Sequence, residues 1–187
     1  MKIDFNSWSS QGLYRSLCRM TRLLLVFGIL LFSLSVQALD KPAYPVIFVH
    51  GINSDASTWG EFSSALVAND WLYGGSPQWN GSTVIGVTAG HFYTLTFSNS
   101  HELKFSKQGA ELANVISAVL AANPTKNKVI LVAHSMGGLA ARSYLQGQAG
   151  MGFRNDVDAL ITIGTPHQGS MEANRCLASS ISKCNSD

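Results

Sequence analysis

Three short runs of this chain are apolar almost without interruption: Val46-Ile47-Phe48-Val49, the stretch Lys128 to Ala133 (KVILVA), and Ala159 to Ile163 (ALITI). A strand with one wet face alternates apolar and polar residues, so a continuous run predicts a strand covered on both faces. Helical periodicity lies between the runs. Leu112, Val115, Ile116, Val119 and Leu120 give one apolar face to a helix from about Ser106 to Ala122, which Asn123-Pro124 stops. A second helix is expected from Gly137 to about Gln148, and a third up to about Ala68. The third would be capped by Ser57 or Thr58, with Phe62, Ala65 and Leu66 on one side. Residues 70–82 read as loop, Thr83 to Thr88 as a second strand, and His91 to Phe97 as a short one. Strands alternating with helices predict an α/β domain with a mostly parallel sheet and helices on both faces.

Composition narrows the partners. The 187 residues suit one domain, and with 13% charged residues disorder is disfavoured. A formal charge of +2 without a Lys/Arg stripe argues against nucleic acid. The three cysteines form no zinc-binding pattern, and no metal or other cofactor is expected. Residues Leu23 to Leu34 (LLLVFGILLFSL) carry no charge, follow Arg15, Arg19 and Arg22, and precede the small residues Val36 and Ala38. That order predicts a secretory signal over residues 1–38, with Met20 as an alternative start, and a secreted or periplasmic protein. An uncleaved membrane anchor is the alternative, although a spanning helix needs about 20 apolar residues. Cleavage after Ala38 would change the charge to −1 and leave Cys176 and Cys184, for which a disulfide and two separate thiols both stay open. The remaining domain is residues 39–187.

The chemistry concentrates at Ala133-His134-Ser135-Met136-Gly137, between a buried strand and a helix. A serine at a tight strand-to-helix turn presents its hydroxyl for attack, and the turn needs small residues two positions either side, here Ala133 and Gly137. The N–H of Met136, at the positive end of the helix dipole, is an oxyanion donor. This elbow resembles that of the α/β-hydrolases, in their lipase and esterase branch, with Ala133 in place of the usual first glycine. Two more motifs resemble that group. His50-Gly51-Ile52 ends the first strand, where the resemblance implies a second oxyanion donor from the backbone of Ile52 or Asn53 and a structural role for the His50 ring. Gly164-Thr165-Pro166-His167-Gln168-Gly169-Ser170 looks like a loop of lipases and of GPI inositol-deacylase-like hydrolases. His134 occupies a position where such lipases often carry histidine.

The resemblance covers about residues 44–172 and implies an α/β-hydrolase fold, an ester or lipid substrate and transient contact with a lipid surface. Its usual order is Ser, then Asp/Glu, then His. Downstream of Ser135 stand His167, Asp156, Asp158, Glu172 and Asp187, and none fits the acid or the base. The expectation is an N-terminal part of a longer hydrolase, its C-terminal strands missing, or else a compact variant using His167. A non-catalytic lipid- or protein-binding remnant is the competing class. His91 and His101 read as surface or packing residues, and Trp59, Trp71 and Trp79 as core or as an acyl-facing surface.

Overall fold

A strand buried on both faces belongs in the middle of a sheet, and β1 (Val46–Val49) is there. The computed structural model describes residues 39–101 and 104–171. The expected signal, Cys18, Cys176, Cys184, Glu172 and Asp187 lie outside the described residues. Four parallel strands run in the order β4 (Phe92–Leu95), β1, β5 (Val129–His134), β6 (Val157–Ile163). Val46 pairs with Phe92 on one side and Ile130 on the other, and Ile130 with Ala159.

Side chains alternate across this sheet and build two cores. Ile47, Val49, Tyr93, Leu95, Leu131 and Ala133 point to one face. There they meet Leu112, Val115, Ile116 and Val119 of α2 (Phe105–Ala122) and Ala140, Ala141 and Tyr144 of α3 (Met136–Leu145). Val46, Phe48 and Phe92 point to the other, under Trp59 and under Leu66 of α1 (Gly60–Ala68). Phe48 is the hub there, with ring centroids of Trp59, Phe62 and Phe92 at 5.1, 5.3 and 6.2 Å. The parallel sheet with helices on both faces is therefore as the sequence predicts.

Several local expectations are corrected. Asp55, not Ser57 or Thr58, supplies the helical cap. Its carboxylate accepts the Ser57 N–H at 2.7 Å and opens a 3₁₀ turn, Ala56–Trp59, from which α1 continues without a side-chain cap. Of Phe62, Ala65 and Leu66, only Leu66 is buried. The strand expected over Thr83 to Thr88 is two residues, β3 (Val84–Ile85). It pairs antiparallel with β2 (Gln78–Trp79), inside the stretch read as loop. Asn80 closes this hairpin, its side-chain oxygen accepting the N–H groups of Ser82 and Thr83. Strand β6 forms but is not buried on both faces. It is an edge of the described sheet, and Ile161 and Ile163 remain about half exposed.

The N-terminal ends of β5 and β6 are tied by a polar cluster around the buried Asp156 and Tyr144. The Asp156 carboxylate accepts the Tyr144 hydroxyl at 2.7 Å and the Arg154 Nε at 2.8 Å. A second Arg154 nitrogen donates to the Ala113 carbonyl, and the guanidinium lies 5.5 Å over the Tyr144 ring. Each polar group has a partner, so burial costs little. Desolvation first, and then the adjacent carboxylate, push the Tyr144 phenol from 10.0 to about 12. The folded state thus holds the proton after the unfolded chain has lost it. Stability contributed by this group is present below pH 10 and is lost as the pH rises toward about 12. Urea titrations between pH 9 and 12 are expected to show a falling midpoint, with a shallower fall in Tyr144→Phe.

Candidate active site

Ser135 sits between β5 and α3 with φ 52° and ψ −123°. A non-glycine residue there is strained by about 1–3 kcal/mol, which the surrounding structure has to offset. Three contacts do so. The Ser135 N–H donates to the Ile163 carbonyl at 2.9 Å, anchoring the turn to the end of β6. A Cβ on Gly137 would stand 2.4 Å from the His50 carbonyl oxygen, so glycine lets α3 press against the exit of β1. A Cβ on Gly51 would stand 3.0 Å from the Ser135 Cβ, so the turn after β1 lies directly beside the serine. The buried Ala133 completes the set of small residues.

Among the described residues, the Ser135 hydroxyl makes no hydrogen bond. Met136 opens α3, where the first N–H groups of a helix have no intrahelical acceptor. Its side chain is buried, and the Gln108 amide nitrogen lies 3.6 Å from its sulfur. Of the two residues expected to provide the other donor, Asn53 has φ 55° and its N–H is bonded to the Ser100 carbonyl at 3.0 Å. Among the described residues the Ile52 N–H makes no hydrogen bond, and the Ile52 side chain is exposed.

His50 is fully buried and holds this turn in place. Its Nδ1 donates to the Gly51 carbonyl at 2.7 Å, and its Nε2 accepts the Phe97 N–H at 3.1 Å. Those two bonds assign the neutral Nδ1–H tautomer. A proton on Nε2 would oppose the Phe97 N–H. Burial pushes the imidazole below its ordinary value of 6.5.

Among the described residues no histidine ring is hydrogen-bonded to Ser135. His134 ends β5, and its Nδ1 is buried without a partner among the described residues. His167 is exposed on the loop after β6, and its Nε2 lies 3.2 Å from the Thr162 hydroxyl. His91 accepts the Leu72 N–H, and the exposed His101 sits 3.4 Å from the Ser100 hydroxyl. Thr165 packs its side chain on Gly138, and Pro166 accepts the Gly169 N–H. Asp156 and Asp158 lie at the opposite end of the strands, paired with Arg154 and Lys128. Among the described residues no cluster of three His, Cys, Asp or Glu is placed to share a metal ion. Trp59 and Trp71 pack on Phe48 and Phe92.

Sequence reasoning missed Gln108 and Gly138. Gln108 is the polar residue one turn before Leu112 on the apolar stripe of α2, and Gly138 is the second half of a Gly-Gly pair. Both signals were visible as departures from a simple amphipathic helix.

Residues 41–177 match the PGAP1-like alpha/beta domain family. The chain belongs to that family. A search of curated protein sequences returned no match. Among solved structures, the chain is similar to the mature form of Bacillus licheniformis lipase BlEst2, at 26% identity and a TM-score of 0.50, covering 78% of this chain and 50% of that one. The product of the Listeria innocua gene lin2722 shares the fold at 18% identity and a TM-score of 0.52, covering 67% of this chain and 52% of that one. The PGAP1-like chain thus spans about half the length of these structures. Its parallel sheet and family place it in the α/β-hydrolase superfamily, with lipase and esterase relatives.

The His50 ring makes stability acid-sensitive. Because its folded-state pKa is lowered, the unfolded chain takes up the proton first. The stability it contributes is present above pH 6.5 and is lost as the pH falls through the folded-state value. Denaturant midpoints measured from pH 7.5 to 5 are expected to fall more steeply in the native protein than in His50→Gln.

Proposed function

We propose that this chain carries the nucleophile and the oxyanion site of an exported serine hydrolase that cleaves carboxylic esters, including lipid esters. The observation that carries the reading is the placement of Ser135 on a strained elbow, with the Gly51 turn against its Cβ. In this reading Ser135 Oγ attacks the ester carbonyl carbon and loses its proton to a base. The carbonyl oxygen becomes an oxyanion and accepts hydrogen bonds from the Met136 and Ile52 N–H groups. Collapse breaks the carbon–oxygen bond to the alcohol, which leaves with the proton. Water then attacks the acyl carbon, the bond to Ser135 Oγ breaks, and the carboxylic acid leaves as the serine regains its proton. Rigid backbone donors of this kind contribute about 10²–10³-fold each in related chemistry. The lipase name of BlEst2 supports an ester substrate, and the exposed Ile52 beside the site suits contact with a lipid surface.

No imidazole among the described residues is hydrogen-bonded to Ser135 Oγ, so this reading names no base. Free imidazole is therefore expected to serve as one. A fluorophosphonate should label the protein slowly in plain buffer and faster as imidazole is added, with the adduct on Ser135 by mass spectrometry. Ser135→Ala should lose labelling, and any turnover of a short acyl ester should drop by about 10³-fold or more. Equal ester turnover by Ser135→Ala would overturn the assignment. The same lack of an imidazole favours a second reading, a hydrolase-fold binding module. A folded sample that stays unlabelled at high imidazole would support it. Export is tested by N-terminal sequencing of the secreted product, with Leu39 expected as the first residue.

A further inference from the structure

The loop from Gly164 to Gly169 leaves β6, an edge of the described sheet, and among the described residues little packs at its two ends. Gly164 and Gly169 have φ 60° and 94°, and a Cβ on either would meet nothing within 4 Å. Between them the chain is a tight turn, with the His167 N–H on the Thr165 carbonyl at 2.9 Å and the Gly169 N–H on the Pro166 carbonyl at 3.0 Å. Two glycine joints around a compact turn make a body that moves as a unit unless something holds it.

Three contacts from the elbow and its helix hold it. The Ser135 N–H binds the Ile163 carbonyl, where the loop begins. Thr165 lies on Gly138 so closely that a Cβ there would stand 2.1 Å from its hydroxyl oxygen. Arg142 Nη1 donates to the His167 carbonyl at 3.2 Å. Positions 135, 138 and 142 are spaced three and four apart, which puts them on one face of α3. Arg142 is also aimed in advance, because its Nε lies 3.4 Å from the Gln146 side-chain oxygen. Its charge sits in the last turn of α3, where the helix dipole favours a cation.

We propose that Arg142 is a positioning residue for the Ser135 site. Through the His167 carbonyl it clamps the 164–169 loop along α3 and fixes the wall that a substrate meets beside the nucleophile. This rests on the hydrolase reading above. Arg142 is exposed and contributes little to global stability, so its loss acts locally.

The test compares the native protein with Arg142→Ala and Arg142→Lys, reading amide exchange at residues 165 and 167–169 and the concentration dependence of fluorophosphonate labelling in imidazole. Arg142→Ala is expected to raise exchange in the loop by about three- to tenfold. It should raise the half-saturating probe concentration by a similar factor while leaving the limiting labelling rate and the melting temperature nearly unchanged. Arg142→Lys keeps a charged donor and should recover most of both effects. Unchanged loop exchange in Arg142→Ala overturns the clamp, as does a labelling defect that only follows a lowered melting temperature. A native protein that never labels overturns the hydrolase reading instead, and the exchange measurement, which needs no reactive serine, tells the two failures apart.

Discussion

The site depends on a contact with no room in it. The end of β1 and the first turn of α3 meet so closely that the His50 carbonyl would stand 2.4 Å from a Cβ at position 137. That approach puts the Gly51 turn against Ser135, and it requires the serine backbone to turn through a conformation that L-residues seldom adopt. The cost is distributed among neighbours that are themselves well held. Ile163 bonds the Ser135 N–H, and His50 is fixed by hydrogen bonds at both ring nitrogens. Dense packing transmits such constraints, because a tightly filled interior has few ways to relax.

How much of this was legible depended on the range of the interaction. The apolar runs around Val46, Val129 and Ala159 declare strands locally, and the stripe from Leu112 to Val119 declares its helix. The small residues around Ser135 were readable too, because the turn's requirement lies within five positions. Burial of β6 was not. Its run looks like that of β1, yet Val49 is fully buried while Ile163 is about half exposed. The difference lies in neighbours distant in sequence: β1 has a strand on each side and α1 above it. The Asp55 cap shows the same limit at short range. Asp55, Ser57 and Thr58 are all capping residues by type, and the backbone geometry chooses among them.

The choice between Ile52 and Asn53 also needed three dimensions. Adjacent amides are alike in sequence, but the Ser100 carbonyl, from the loop after β4, takes the Asn53 N–H. The loop after β4 therefore reaches the turn after β1 twice, through Ser100 and through the Phe97 N–H on His50. Glu111 of α2 holds that loop in turn by accepting the Ser98 N–H at 2.9 Å and its hydroxyl. A serine, a buried histidine and a glutamate on separate elements thus form one mechanical chain leading to the site.

The cluster of Asp156, Tyr144 and Arg154 ties the strands at the end remote from Ser135. It joins α2, α3 and the lead-in to β6 through side chains that have no part in the chemistry proposed for the other end. The two ends of the sheet are thereby free to diverge under different selection. In the proposed reading, substitutions in the 164–169 loop or the Ile52 turn alter which substrate fits without loosening the foundation. Substitutions at Asp156 should alter how much of the chain is folded before they alter what it recognises.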